Sequence, residues 1–335
     1  MESNGTFLSV CMNPTLQKTL CFGRVIPDQV NRTESHRLDA SGKGVNVSRV
    51  LRQLGKRVVH LTHLGGELRP LFLALCQRDN LDVRWVDSHS PIRFCYTLIT
   101  GEEPAGAGPG REAPGGRTVT ELVEEGEAVF PGTEDRLLSA FKELLGVAGT
   151  VIISGTKARG YGDALVPEMV RLARERGKRI ILDVRGTDLE RSLSHGPDLV
   201  KPNLVEFVGT FAPGLASPRE LSGDEEGVKS RVADLILELA GRYRTRIVLT
   251  RGSRSVWYAD GSVPGTDGAE ASSPVFDEYL VERTPPVNTV GSGDAFTAGL
   301  AAALDEGYSL RDAIAQGAGC GGLNAGFLKP GVIRE

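Results

Sequence analysis

The chain has 335 residues, enough for one large domain, or a large domain with a small attachment, around a well-buried core. With 40% hydrophobic and 24% charged residues and a net charge of −4, it offers no electrostatic case for nucleic acid, and a small anionic substrate would need local basic groups. No apolar run is long enough to span a membrane, "FLSVCM" is too short for a signal segment, and five cysteines without a C-x-x-C pair indicate neither a disulfide framework nor a zinc site; a cytoplasmic protein is expected.

In chain order, TFLSVCM (6–12) opens as a strand of the continuous apolar kind that is buried on both faces of a parallel sheet. KTLCFGRV (18–25) and VNRTESHRLDA (30–40) alternate instead, in the manner of antiparallel strands with one wet face. A helical pattern over Lys43 to Leu54 leads to the apolar strand RVVHLTHL (57–64) and a helix over Leu68 to Arg78. IRFCYTLIT (92–100) and RTVTELVEEG (117–126) alternate again, separated by the Gly- and Pro-rich stretch 101–116, which reads as a mobile hairpin tip or a tolerated insertion. A helix over Glu134 to Leu145, the strand TVIIS (150–154), a helix over Gly162 to Arg176, the strand RIILDV (179–184), a helix over Glu225 to Ala240 and the strand TRIVLT (245–250) continue the rhythm.

Repeated β-then-α order implies a layered α/β sheet flanked by helices. The two alternating pairs, at about 18–40 and 92–123, are predicted to form a small β-sheet lid at its edge. No internal repeat or heptad run is present, so residues 1–335 read as a single unit.

Two glycine-rich turns open helices. In NTVGSGDAFTAGL (288–300), Phe296, Leu300, Ala303 and Leu304 form one helical face, so the preceding turn presents backbone amides at a helix N-terminus, where a phosphate or an oxyanion can bind. Ser292 or Asp294 could equally cap that helix. In SGKGVNVSRVLRQLG (41–55), Val47, Val50, Leu51 and Leu54 make the apolar stripe, and Lys43 sits in the first turn, where the helix dipole disfavours positive charge. Function explains that lysine better than capping does. Gly42 and Gly44 permit close backbone approach, and Asn46 can donate and accept toward hydroxyls or serve as a structural hydrogen-bonding residue.

Several alternatives fail. GSGDAF lacks the third glycine of a dinucleotide fingerprint, GAGCGG (317–322) follows no strand, and there is neither a P-loop nor a nucleophile elbow. His60 and His63, three apart on one strand, face opposite ways and read as structural. Asp183, at a strand end, could touch a site or cap the next turn.

The two turns, in that order and about 250 residues apart, resemble the paired signatures of the ribokinase-like, or pfkB, carbohydrate kinases. CMNPTLQ (11–17), VNRTES (30–35) and VKPNLVEF (200–207) extend the resemblance, from Leu8 to Gly331, toward the branch containing 1-phosphofructokinases and tagatose-6-phosphate kinases. It implies a ribokinase-like doubly wound α/β sheet with a β-sheet lid that often mediates homodimers. It also implies Asp294 as general base, the amides of Gly291, Ser292 and Gly293 as the anion hole for the transferring phosphoryl group, ATP as cosubstrate and magnesium (Mg²⁺) as cofactor.

By the same resemblance Asn203 and Glu206 act on the metal indirectly, through water. Lys201, Thr250, Gly252 and Asn324 lie along the nucleotide, with Asn324 beside the base. Gln17, Gly42, Lys43 and Asn46 bind the acceptor, and Arg32 and Arg93 hold its phosphate, for which the arginine fork is suited. Three departures stand out. Gln17 occupies the place of the family's usual aspartate, which Asp28 or Asp39 could replace; Ser41 stands for a glycine; and SGTKARGY (154–161) brings Lys157 and Arg159 to the site's edge. The implied activity is ATP-dependent phosphorylation of a hydroxymethyl of a ketohexose phosphate, fructose 1-phosphate first and tagatose 6-phosphate next. The alternatives are a kinase of a free sugar or nucleoside, or a weakly active sugar-phosphate-binding regulator.

Overall fold

The computed structural model describes residues 5–101, 117–215, 226–261, 273–282 and 285–334; apart from Gly101, the stretch read as a mobile insertion lies outside them. The first part of the chain forms β1 (Thr6–Cys11), β2 (Thr15–Phe22), β3 (His36–Ser41), α1 (Lys43–Gln53), β4 (Arg57–Leu64), α2 (Arg69–Arg78), β5 (Asp82–Asp87), β6 (Arg93–Thr100) and β7 (Thr118–Val123). The middle forms α3 (Thr133–Leu144), β8 (Thr150–Ser154), α4 (Leu165–Glu175), β9 (Arg179–Asp183), α5 (Thr187–Ser192), β10 (Leu199–Val200) and α6 (Leu204–Phe211). The last part forms α7 (Glu226–Tyr243), β11 (Arg246–Leu249), β12 (Val256–Asp260), β13 (Phe276–Tyr279), α8 (Ser292–Asp305) and α9 (Leu310–Ala325).

The large sheet has the order β13-β12-β11-β10-β9-β8-β1-β4-β5 and is parallel from β11 to β5. Its central strands are apolar throughout because both faces are covered. Leu8, Val10, Val151 and Ile153 pack with Leu137, Phe141 and Met169 from α3 and α4, while Phe7 and Ile152 pack on the opposite face with Val47, Leu51 and α8. β12 and β13, at one edge, run antiparallel. The order reverses between β1 and β8: β4 and β5 lie to one side, β8 to β11 to the other. The carboxyl ends of β1 and β8 therefore border the crevice where a doubly wound sheet takes its ligands.

The second sheet has the order β3-β2-β6-β7. The sequence pattern predicts antiparallel pairing throughout, but its central pair, β2 and β6, is parallel. The reason is connectivity: β2 follows β1 and β6 follows β5, so both strands leave the same edge of a parallel sheet in the same direction. Residues 30–35, read as strand, form a loop in which Asn31 bonds the backbone of Ile26 and Gln29. β5, β12 and β13 are strands the sequence reading omits.

Two glycines of GAGCGG, Gly317 and Gly321, serve packing against α8. A Cβ on Gly317 would stand 2.9 Å from Phe296 O, so that glycine lets α9 lie directly against α8. The two histidines are structural as predicted: His60 meets Ser48 of α1, and His63 meets the Tyr161 hydroxyl on the other face. Burial lowers their pKa values to about 3 and about 4, keeping both neutral.

Candidate active site

The carboxyl ends of β9 and β10 deliver Asp183 and Lys201 to the crevice, and the starts of α1, α6 and α8 face them from the sides. Helix α8 begins at Gly291 in the left-handed conformation (φ +85°), and Ala295 N donates the first helical bond to Gly291 O at 2.8 Å. A Cβ at Gly291 would stand 3.0 Å from Gly331 N, so only glycine fits between the turn and the C-terminal segment. Gly293 has no atom within 4 Å of its Cβ position, which leaves its backbone approachable. Of the three amides assigned to the anion hole, that of Ser292 already donates to Thr289 O at 3.2 Å.

Two lysines and three carboxylates meet at this point. Lys43 Nζ lies 3.1 Å from Asp183 Oδ1 and 3.3 Å from Glu206 Oε1, and Lys201 Nζ lies 3.2 Å from Asp183 Oδ2. Thr297, one turn into α8, donates to Asp183 Oδ2 at 2.8 Å. Burial disfavours the Asp183 charge, but Lys201, Lys43 and the Thr297 hydroxyl outweigh it and bring the pKa down to about 2. Asp183 is thus neither a cap nor a bystander: it is the shared counter-ion of both lysines. Burial likewise works against the Lys43 charge, and Asp183, Glu206 and Asp294 overcome it, so its pKa rises.

Asp294 differs from its neighbours. It is buried, and its only side-chain hydrogen bond among the described residues comes from Asn46 Nδ2, at 2.8 Å. Burial, with Asp183 nearby, raises its pKa to about 7 against the pull of Lys43, Asn46 and Lys201. A carboxyl poised there exchanges a proton near neutral pH, as a general base must. Asn46 is itself fixed, because its Oδ1 accepts from Ser41 Oγ (3.3 Å) and Arg49 Nη1 (2.9 Å). The Arg49 guanidinium also bonds Asp79, Pro330 O and Ala40 O. The sequence carries no signal for Arg49 beyond its place one turn after Asn46.

Glu206 and Asn203 form a capping box at the start of α6: Glu206 N donates to Asn203 Oδ1 (2.8 Å) and Asn203 N to Glu206 Oε2 (3.0 Å). The oxygens of Glu206 and Asp183 are therefore already engaged. Among the described residues no group of three His, Cys, Asp or Glu side chains could hold a metal ion directly. This donor set fits an ion that keeps its waters and is bound mainly by phosphate oxygens, as magnesium is. Thr250 bridges Asn203 beside β11, and Gly252 takes φ +63° in the turn that follows.

Asn324 departs from expectation. Its Nδ2 donates to Val290 O (3.0 Å) and Ser292 Oγ (3.1 Å), and its Oδ1 accepts from Gly331 N (2.6 Å) and Val332 N (3.2 Å). Every polar position of the amide is occupied within the protein, so its side chain fixes the turn before α8 and has nothing left for a base.

On the acceptor side, Gln17 is buried on β2, opposite Asp39, and donates to Thr97 Oγ1 at 2.7 Å. Asp39 is spent on Arg37 and Lys329, and Asp28 is exposed in the loop before β3, so neither carboxylate stands free at the site in place of the family aspartate. Gly42 (φ +114°) turns the chain from β3 into α1. Arg93, on β6, donates to Glu124 O while its buried Nε has no hydrogen-bond partner among the described residues. It lines a small recess with Asn13, Gly126 and Ala158. Arg159 Nε bonds Gly126 O (3.2 Å) at that recess, whereas Lys157 is drawn away to Asp188 (2.5 Å). Arg32 is exposed in the loop before β3 and, among the described residues, makes no hydrogen bond or ion pair with the Lys43–Asp294 cluster.

The family model of pfkB family carbohydrate kinases matches residues 10–327. The chain belongs to this family. It is 29% identical over 310 residues to a 1-phosphofructokinase of Rhodobacter capsulatus, across 91% of this chain and 85% of that one. A possible 1-phosphofructokinase from Thermotoga maritima shares the fold with a TM-score of 0.75 at 20% identity, over 96% of this chain and 92% of that one. The tetrameric inhibited form of phosphofructokinase-2 from Escherichia coli gives 0.74 at 20% identity, over 96% and 93%. A pfkB carbohydrate kinase is a phosphotransferase with ATP as cosubstrate and an alcohol group as acceptor, and the two helix starts facing each other across Asp294 suit that transfer.

Proposed function

We propose that this pfkB kinase transfers the γ-phosphoryl group of ATP to a hydroxymethyl of a ketohexose phosphate, fructose 1-phosphate before tagatose 6-phosphate. The observation that carries the transfer is Asp294, buried, with its pKa raised to about 7 and held by Asn46 between the starts of α1 and α8. Asp294 takes the proton of the acceptor hydroxyl as its oxygen bonds to the γ-phosphorus and the bond to ADP breaks. The amides of Gly291, Ser292 and Gly293 receive the transferring phosphoryl oxygens, the Ser292 amide in exchange for Thr289 O. Lys43 and Lys201, both paired with Asp183, face the phosphates. Magnesium would be held by the nucleotide phosphates and, through water, by Asn203 and Glu206; bound there it neutralises phosphate charge. Thr250 and Gly252 border the nucleotide.

A phosphorylated acceptor is favoured by Arg93, whose buried Nε lacks a partner among the described residues, with Arg159 beside it. Gln17, with Gly42, Lys43 and Asn46, would contact the sugar. The smaller sheet is read as the lid and as the homodimer interface, since β7 leaves Leu122 and Val123 exposed. No described helix is long and apolar enough to cross a membrane, and the reading places the enzyme in the cytoplasm.

The test is ATP-dependent ADP release with fructose 1-phosphate, tagatose 6-phosphate, fructose 6-phosphate and free sugars. Arg93→Met is expected to raise KM for the phosphorylated sugar by one to two orders of magnitude, roughly 1.5–3 kcal/mol for a lost charged hydrogen bond. Turnover of free sugars only, with KM untouched in that variant, would instead favour a free-sugar kinase. Absence of turnover with every sugar would favour the binding protein.

A further inference from the structure

A second cationic site lies behind α1, away from the reacting groups. A cavity of about 290 Å³ opens between the last turns of α1, the turn after α2 and the C-terminal segment 329–334, and its wall includes Arg49, Arg52, Gln53, Asp79, Lys329 and Arg334. The C-terminal segment is held in place there: Gln53 Nε2 donates to Gly331 O (2.8 Å), and Gln53 Oε1 accepts from Ile333 N (2.9 Å) and Arg334 N (3.2 Å). The cavity is therefore built by hydrogen bonds between distant parts of the chain.

Its charges do not balance. Asp79 is the one carboxylate of the wall among the described residues, and Arg49 and Lys329 both bind it. Lys329 also reaches Asp39, at 3.6 Å. Arg52 and Arg334 are exposed, and neither has an ion-pair partner among the described residues. Guanidinium groups converging on one concavity repel one another until an anion enters, and their planar forks fit phosphate oxygens in pairs. The volume suits a small phosphorylated molecule.

The same wall touches the machinery of the site. Arg49 spans from Asp79 in the cavity to Asn46 Oδ1, and Asn46 Nδ2 reaches Asp294. Arg49 also holds Pro330 O, next to the Gly331 that packs on the α8 turn. We propose that this cavity binds a small polyphosphate-bearing anion, distinct from the two substrates, through Arg52, Arg334 and Lys329, and that its occupancy adjusts catalysis through Arg49 and Asn46. The binding half stands independently of the kinase reading; the regulatory half rests on Asp294 as base.

Calorimetry with inorganic pyrophosphate on the full chain, in the presence and absence of saturating ADP, tests the binding half. One ADP-insensitive site per chain is expected, weakened at least about tenfold, or 1.4 kcal/mol, in Arg52→Ala/Arg334→Ala. Complete displacement by ADP, or unchanged affinity in the double variant, would overturn it. For the regulatory half, kcat is measured at saturating ATP and sugar phosphate. Pyrophosphate is expected to change wild-type kcat at least about twofold and leave that of the double variant unmoved, with both proteins equal in its absence. Identical responses of the two proteins would overturn the coupling while leaving the kinase assignment intact.

Discussion

Asn46 Nδ2 donates to Asp294 Oδ2 at 2.8 Å, joining side chains 248 positions apart and tying the start of α1 to the start of α8. This bond also defines the first prediction. Asn at position 294 keeps the size and can still accept from Asn46, but cannot take a proton. Asp294→Asn should lose about 10²–10⁴ in kcat, the span typical of a lost general base, while ADP affinity by calorimetry stays near wild type. Near-normal turnover would remove Asp294 from the role of base.

A pH dependence follows from the same carboxyl. With its pKa at about 7, Asp294 carries a proton in acid and cannot accept another, so kcat should climb as pH rises through about 7 and then level off. Stability moves the opposite way. Between the ordinary value of 3.8 and about 7 the folded protein holds a proton that the unfolded chain has released, so rising pH costs stability across that window, in full above 7. The size is roughly 4 kcal/mol from the shift. Thermal melts at pH 8 should therefore find Asp294→Asn several degrees more stable than wild type, a gain of stability bought with activity. Equal or lower stability of the variant at pH 8 would contradict a strained buried charge.

Asp183 behaves in the reverse sense. Its pKa is depressed to about 2, so its contribution is present above 3.8 and lost as pH falls toward 2. Asp183→Asn leaves Lys201, only 3% exposed, without its carboxylate and removes one of two from Lys43. Breaking a buried pair on one side typically costs about 3–5 kcal/mol, and urea unfolding at pH 7 should show a loss of that order. An unchanged midpoint would mean that the two lysines do not depend on Asp183.

How much of this was legible in the sequence depended on how local each signal is. The apolar runs of β1, β4, β8 and β9 were readable because strands covered on both faces need no alternation. β5 and β13 are the two edge strands of the large sheet, where charged residues interrupt the apolar pattern, and β12, inside β13, has an apolar run of only four residues, Val256 to Ala259, too short to stand out. Lys43 was readable because a lysine is misplaced at a helix start, and the structure gathers it with Glu206, Lys201 and Asp294. Asp183 was not, since a carboxylate at a strand end looks the same whether it caps a turn or pairs with a lysine 140 positions away. Arg32 shows the converse: a motif placed it at the acceptor, and the loop before β3 leaves it in solvent.

Gly331 supports the site from outside it. It takes φ +74°, and a Cβ there would stand 2.9 Å from Asn46 Cα and 3.0 Å from Arg49 Nη1. Gly331→Ala must either strain its backbone or push α1 away from α8, at a cost of about 1–3 kcal/mol. Because the displaced atoms carry Asn46, kcat should fall well beyond what the loss of folded fraction explains, and activity per folded molecule, from melts and assays at one temperature, measures this. A loss of stability alone would show that Asn46 tolerates the shift.

Asn324 separates two accounts of one residue. Family resemblance puts it beside the nucleotide base, whereas its amide is wholly spent on Val290 O, Ser292 Oγ, Gly331 N and Val332 N. If it holds the turn, Asn324→Ala leaves four buried or half-buried polar groups unpaired, should destabilise by about 2–4 kcal/mol and should lower kcat by loosening the amides at Gly291 to Gly293. Preference for ATP over GTP, taken as the ratio of kcat/KM values, would stay the same, because no base contact has been lost. If it binds the base, that ratio falls while the melting temperature and kcat hold. The geometry supports the first outcome: a side chain with both donors and both acceptors engaged reaches a base only by releasing the turn that positions the phosphoryl group.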